Sequence, residues 1–540
     1  MTILVDLLRD CGIEGHANGD THARFVCACG GASEIVDYGG DRPFWYFCPK
    51  CQPPTGKAFT ADELRRELGG TVTPEEVASP ARAMLLDPDL YARNDPGNAR
   101  VLHLLHGHEL RFVHHMGIWR YWDGRRWCDD RERIAYRMAI DSMQARKQLA
   151  ADIIDPKTAE AEFTYAVRSQ NHQKVLSLLE SAAGMAEFGT VPDDYDRDSL
   201  LFNTLTGTID LRTGEQRPHD PKDMISKIAP VHFDPNALCE RWQQFLREVF
   251  ADDMDLIDFL WRAVGYSMTA SWDEQVLFLL HGTGNNGKTV LLQTLLALLG
   301  GDYACASEFA VFTLERQRQT AIRNDIARLH GRRLITMSEA AGGVRFNESV
   351  LKQLTGGDTV PARFLHKEFF EFTMVGRFWI ACNHLPRVAD TSVSFWRRIR
   401  LLCFPVDFTD REDHALETTL RAELSGILNW AIAGAHQYLK DGRLYAPPAV
   451  VSAVDQYRHD EDAIGAFLAE KTAEDSDAMV QASLLHKSYA DWMKDAGESE
   501  KTILGLISFG KGMRQRGIEK QRNKITGRVC YLGLRLEDAQ

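Results

Sequence analysis

The feature that most constrains the fold is the run His281-Gly282-Thr283-Gly284-Asn285-Asn286-Gly287-Lys288-Thr289, set between the apolar stretch Gln275–Leu280 and the helix-forming stretch Val290–Leu299. A short apolar run reads as a buried parallel strand. Glycines that follow it let backbone N–H groups wrap an anion, and the next helix presents its positive N-terminal end. The pattern G-x-x-x-x-G-K-T in a strand–loop–helix setting predicts a nucleotide phosphate site at Gly282, Thr283, Gly284, Asn285, Asn286, Gly287, Lys288 and Thr289. Lys288 is expected to neutralise the β- and γ-phosphates of ATP, and the Thr289 hydroxyl to hold Mg²⁺. The fold class expected is α/β.

Two further apolar strands carry polar residues at their ends. Arg333–Met337 runs into Ser338-Glu339, where the Glu339 carboxylate is the candidate base for an attacking water. The usual acidic pair is absent, since Ser338 stands where a second acid is expected. Arg377–Cys382 ends in Asn383, whose amide can orient that water. Beyond it lies Phe395-Trp396-Arg397-Arg398-Ile399-Arg400. Arg397 is the candidate finger for a neighbouring subunit's phosphate, with Arg398 as second choice and a solvated basic face as the plain alternative.

Gly282–Thr289, Glu339, Leu351-Lys352-Gln353-Leu354-Thr355-Gly356-Gly357-Asp358, Asn383 and Arg397 resemble, in order and spacing, the motifs of superfamily 3 helicases. More closely, the chain resembles the phage and plasmid primase-helicase family, which includes the poxvirus primase-helicase. Asn94–Ala99 with the Trp119–Trp127 hairpin, and Asn203–Pro218, look like that family's helicase-associated region, so the likeness extends from about 90 to 535. The resemblance implies an AAA+-like core and a ring, a hexamer, that translocates on single-stranded or forked DNA. It also implies a DNA-gripping hairpin at Ala362–Phe372 with His366 and Lys367 at the tip. Longer family members carry a polymerase-type primase domain before the helicase region. Only about 90 residues precede it here, so primer synthesis is expected from a separate primase or polymerase.

The expected organisation is a zinc-ribbon-like segment at 1–68, a linker at 69–90, an α+β helicase-associated domain at 91–240, the motor at 241–445 and a winged-helix-like domain at 446–540. In the first segment Cys27-Ala-Cys29 and Cys48-Pro-Lys-Cys51 offer four thiolates, the ligand count of a closed zinc site. The first pair is C-x-C, so Cys11, His16 or His22 could replace one ligand, and four unrelated cysteines remain the plain alternative. At the other end, Lys511, Arg514, Arg516, Lys520, Arg522, Lys524 and Arg528 stand against only Glu519 as a nearby acid. On a chain with net charge −13 such a local surplus favours phosphate contact, with Arg514, Lys520, Arg522 and Lys524 the chosen contacts. A partner-binding or solvated face is the alternative. No apolar run reaches the roughly 18–20 residues that span a bilayer, and a cytoplasmic location is expected, in the bacterial host if the gene is phage- or plasmid-borne. Two rival functions remain: an origin-binding initiator whose ATPase serves assembly, and an ATPase that moves DNA without separating strands.

Overall fold

The computed structural model describes residues 91–313, 324–338, 344–363, 369–388, 392–498 and 503–537, together with five short strands in the first 59 residues. Glu339, His366, Lys367, Cys27, Cys29, Cys48 and Cys51 lie outside the described residues. The five strands, His16–Ala17, His22–Val26, Ala32–Val36, Phe44–Phe47 and Ala58–Phe59, pair in chain order as an antiparallel meander.

The chain divides into two compact units, Met1–Arg197 with Asp220–Ser226, and Asp198–His219 with Lys227–Gln540. In the first, the Asn94 side chain caps the helix Asp95–His106 by accepting from the Gly97 amide. A sheet of Leu110–Val113, Ile118–Trp122, Trp127–Asp129 and Gly189–Thr190 packs with the helices Ile134–Leu149 and His172–Ala183. Of the tryptophan-rich hairpin, Trp127 is core, while Trp119 and Trp122 are half-buried and pack against core residues. Trp127 is buried beside Val113 and Tyr195 and its indole N–H donates to the Pro221 carbonyl at 2.9 Å. The helix Pro156–Ser169 is not anticipated from the sequence, because it buries only Ala166 and Ser169 and so lacks a strong apolar stripe.

The second unit is built on a five-stranded parallel sheet in the order Ala304–Glu308, Leu334–Ser338, Arg377–Cys382, Leu277–His281, Ile399–Cys403. Both faces are covered, as parallel sheets require. Phe278, Leu280, Leu334, Trp379, Ala381 and Leu402 enter one core, with the helices Met254–Met268, Lys288–Tyr303 and Leu424–Asp441. Leu277, Leu279, Ile335, Met337, Phe378, Ile380 and Leu401 alternate into the other, beside Glu348–Thr355 and Tyr457. At the centre Phe278 and Trp379 stack with ring centroids 4.2 Å apart, and the Trp379 indole donates to Ser267. The observed strand begins at Leu277, two residues later than expected, because Gln275 has φ of +52° and cannot continue a strand.

Phe202, Ile209 and Leu211 join the core of this second unit, together with Trp242 and Phe245. The division between units therefore falls near 198 and 227, not at 240. The last part of the chain has helices Ala463–Lys471, Ala482–Asp495 and Leu506–Gln515 and an antiparallel sheet ordered Thr472–Gln481, Val529–Leu536, Lys520–Arg522. Phe467, Leu485, Tyr489, Phe509 and Tyr531 give it a core of its own. No helix among the described residues is long and apolar enough to cross a membrane.

Candidate functional site

The register brings the strand ends together. His281 pairs with Cys382 on one side and Cys403 on the other, while Ser338 pairs with Ala381. The loop Gly282–Gly287 and Asn383 therefore leave the carboxyl edge side by side, where open α/β sheets bind their ligands. The strand Leu334–Ser338 also ends at that edge, and Glu339, the next residue in sequence, lies outside the described residues.

Local backbone demands explain the loop's composition. Gly284 and Gly287 hold φ of +127° and +85°, the left-handed region that favours glycine. A Cβ on Gly287 would lie 2.5 Å from a Val249 methyl carbon, so that position tolerates no side chain without movement. The loop is tied down at both ends, with the Phe404 amide donating to the His281 carbonyl and the Phe408 amide to that of Asn285, each at 2.8 Å.

Lys288 begins the following helix and is 5% exposed. Its ammonium donates to the Gly282 carbonyl and to Asn286 Oδ1, both at 2.8 Å, and burial pulls its pKa below the usual lysine range. Asn286 is also buried, and its Nδ2 has no hydrogen-bond partner. Burial, then the Lys288 charge, holds the His281 imidazole below its ordinary value, which keeps it neutral beside the loop. A buried cation and an orphaned amide donor beside a glycine loop on a helix N-terminus form a cradle that suits a polyanion. Thr283, Thr289 and Asn383 are exposed at its rim.

The two candidate arginines lie elsewhere. They precede the strand Ile399–Cys403, and the Leu277 amide donates to the Arg398 carbonyl, which puts both at the amino edge of the sheet. Five residues of strand, roughly 16 Å at 3.3 Å per residue, separate that edge from the loop. Arg397 is exposed and donates to Gln275 Oε1 at 2.6 Å. Arg398 is buried, donating from Nε to Thr355 Oγ1 at 3.1 Å and from Nη1 to the Ser394 carbonyl. Adjacent in sequence, the two face different surroundings, and only Arg397 is free to meet another molecule.

The expected hairpin is present as Thr359–Arg363 paired with Phe369–Thr373, its tip lying outside the described residues. Arg514 is exposed on the helix Leu506–Gln515, and Lys520, Arg522 and Lys524 are exposed on the terminal hairpin. Two of the four are already engaged: the Lys520 ammonium lies 5.0 Å from the Tyr531 ring centre, and Arg522 Nε donates to the Gly527 carbonyl at 2.8 Å. Sequence reasoning missed Asn286's orphaned donor and the role of Gln275 as Arg397's acceptor. A single polar side chain in a loop or just before a strand carries no pattern that would have exposed either.

Fold and site together define a mixed α/β protein whose parallel sheet gathers a glycine loop and an asparagine at one edge. The description "D5 N terminal like" matches residues 99–251, and a family of unknown function (DUF5906) matches 280–398. These matches, with the relatives that follow, support a likeness to phage- and virus-type primase-helicases. It is 26% identical over 422 residues to a Frog virus 3 (isolate Goorha) protein called "Putative helicase", covering 63% of this chain and 42% of that protein. A protein of the same description from Acanthamoeba polyphaga mimivirus is 22% identical over 347 residues, covering 60% and 36%. An African swine fever virus protein called "Putative primase" (isolate Pig/Kenya/KEN-50/1950) is 23% identical over 294 residues, covering 50% and 30%. The chain thus spans less than half the length of these curated relatives. Among solved structures, the apo C-terminal region of NrS-1 (305-718) gives a TM-score of 0.35 at 11% identity, over 57% of this chain and 78% of that one.

Proposed function

We propose that the chain is an ATP-dependent DNA helicase that translocates on single-stranded DNA as a ring, a hexamer, in the replication of a phage, plasmid or integrated mobile element. The observation that carries this reading is the separation of the phosphate loop and Arg397 onto opposite edges of one sheet. An arginine that far from its own loop reaches a γ-phosphate only in a neighbouring subunit, so the sites complete themselves between copies. Within one copy, Lys288 and the loop amides hold the β- and γ-phosphates, and Asn286 turns its free amide toward them. Asn383 and Glu339 orient and deprotonate the lytic water. Thr289 is the residue to hold Mg²⁺, which when bound neutralises charge on the phosphate oxygens.

His366 and Lys367 grip the strand in the ring's channel. The C-terminal helices and hairpin act as a winged helix whose Arg514, Lys520, Arg522 and Lys524 meet backbone phosphates, a contact that weakens steeply with salt. Cys27, Cys29, Cys48 and Cys51 hold a structural Zn²⁺, and metal analysis of the purified protein is expected to find about one zinc per chain, lost when Cys48 and Cys51 are both replaced by Ser. Absence of zinc from the wild type would remove that part of the reading.

The deciding experiment is strand release from a forked duplex with ATP and Mg²⁺. Release that depends on hydrolysis is expected. Hydrolysis without release would favour the ATPase that moves DNA without parting it. Hydrolysis confined to assembly on one specific sequence would favour the initiator.

A further inference from the structure

The motor reading leaves one cluster at the amino edge unused. Gln275 sits in a left-handed backbone conformation, φ +52°, which side-chain-bearing residues seldom adopt. Its side chain is bonded at both ends. Oε1 accepts from Arg397 Nη2 at 2.6 Å, and Nε2 donates to the Gly356 carbonyl at 3.2 Å. Gly356 and Gly357 form the turn from which the strand Thr359–Arg363 departs into the hairpin. The same short segment supplies Trp272, whose ring lies against Gly357 so closely that a Cβ there would come within 2.8 Å of it. Arg398, next to Arg397, donates to Thr355, the last residue before that turn. The exposed arginine and the hairpin root are therefore joined twice: through the Gln275 amide, and through the Arg398–Thr355 bond.

We propose that Gln275 is a positioning residue that aims Arg397 and ties its aim to the root of the hairpin. This rests on the reading of Arg397 as a finger acting in trans and of the hairpin as a DNA contact. An exposed arginine has many rotamers, and only a few point its guanidinium at a neighbour's phosphate. A neutral amide suits the task, because it offers one acceptor to the guanidinium and one donor to the turn. Displacement of the Gly356 carbonyl when the hairpin engages DNA would pull the amide and change where Arg397 points. Arg398 holds the other side of the turn from inside the protein.

The two ends of the amide can be separated. Gln275→Ala removes both bonds; Gln275→Glu keeps the acceptor for Arg397 but has no donor for the Gly356 carbonyl. ATP turnover of the full-length protein is measured with and without single-stranded DNA. Gln275→Ala is expected to lower kcat by on the order of tenfold or more, the loss of one charge-assisted hydrogen bond, with KM for ATP unchanged. Gln275→Glu is expected to recover most of the DNA-free kcat while its stimulation by DNA stays lost. A Glu variant that recovers DNA stimulation as fully as turnover would overturn the link to the hairpin. An Ala variant with wild-type kcat, or one that loses kcat and KM together with thermal stability, would overturn the positioning role. A wild type that hydrolyses no ATP removes the function reading and this inference with it, and a wild type that hydrolyses ATP without DNA stimulation removes the link alone.

Discussion

The two edges of the parallel sheet are built on different terms. At the carboxyl edge, the loop Gly282–Gly287 and Lys288 are contiguous in sequence, and the buried Lys288 bonds back within that stretch, to the Gly282 carbonyl and Asn286. At the amino edge, Arg397, Gln275, Gly356 and Thr355 come from three distant stretches and meet through side chains. A contiguous phosphate cradle can be preorganised within one subunit. A cluster assembled from separate segments can change shape when any one of them is pulled, which suits the trans-acting role proposed for Arg397.

The sharpest way to test that contrast is to remove the centre of each edge. Lys288→Ala is expected to abolish ATP hydrolysis, because nothing else among the described loop residues brings a buried positive charge to the cradle, while circular dichroism stays that of a folded protein. Unchanged turnover would end the assignment of the loop. Arg397→Ala should keep nucleotide affinity and lose hydrolysis by about 10³-fold or more, the low end of what such fingers supply. Mixing the two variants after subunit exchange should restore part of the activity, since some interfaces would pair an intact loop with an intact arginine. No recovery at any ratio, with exchange confirmed, would place Arg397's action within its own subunit or require every site to fire together. A monomer with full activity would remove the ring altogether.

Arg398→Ala provides the smaller contrast. Its guanidinium is internal, so the expected effect is on folding: about 1–3 kcal/mol from lost buried hydrogen bonds, read as a Tm lowered by a few degrees. Hydrolysis should fall far less than in Arg397→Ala. A loss of hydrolysis equal to that of Arg397→Ala, at unchanged Tm, would exchange the two arginines' roles.

The same contrast explains what could be read in advance. The carboxyl edge is written locally: an apolar strand, glycines where φ must be positive, and a lysine at the helix start. The strand Arg377–Cys382 and the position of Asn383 follow from the same apolar rule. The amino edge is not local. Nothing in Phe395–Arg400 says that Arg398 turns inward to Thr355 and Arg397 outward to Gln275, because that choice is made by packing over long separations. The stretch Gln275–Leu280 reads as a strand from its composition, yet its first residue leaves extended geometry to make the two side-chain bonds. The boundary of the first unit was equally hidden, since Phe202, Ile209 and Leu211 look like any hairpin until their burial partners are known.

Strand order also bears on how the molecule is made. Both neighbours of Leu277–His281 in the sheet, Arg377–Cys382 and Ile399–Cys403, lie far downstream of it in the chain. During synthesis the loop strand must therefore wait, with both hydrogen-bonding edges open, for on the order of ten seconds at ribosomal speed. An apolar strand with two open edges is a template for wrong pairing. The nascent chain is thus most vulnerable to aggregation after Leu280 has emerged and before Cys403 has. Fragments that end inside that window would retain the glycine loop in sequence but have no sheet to hold it.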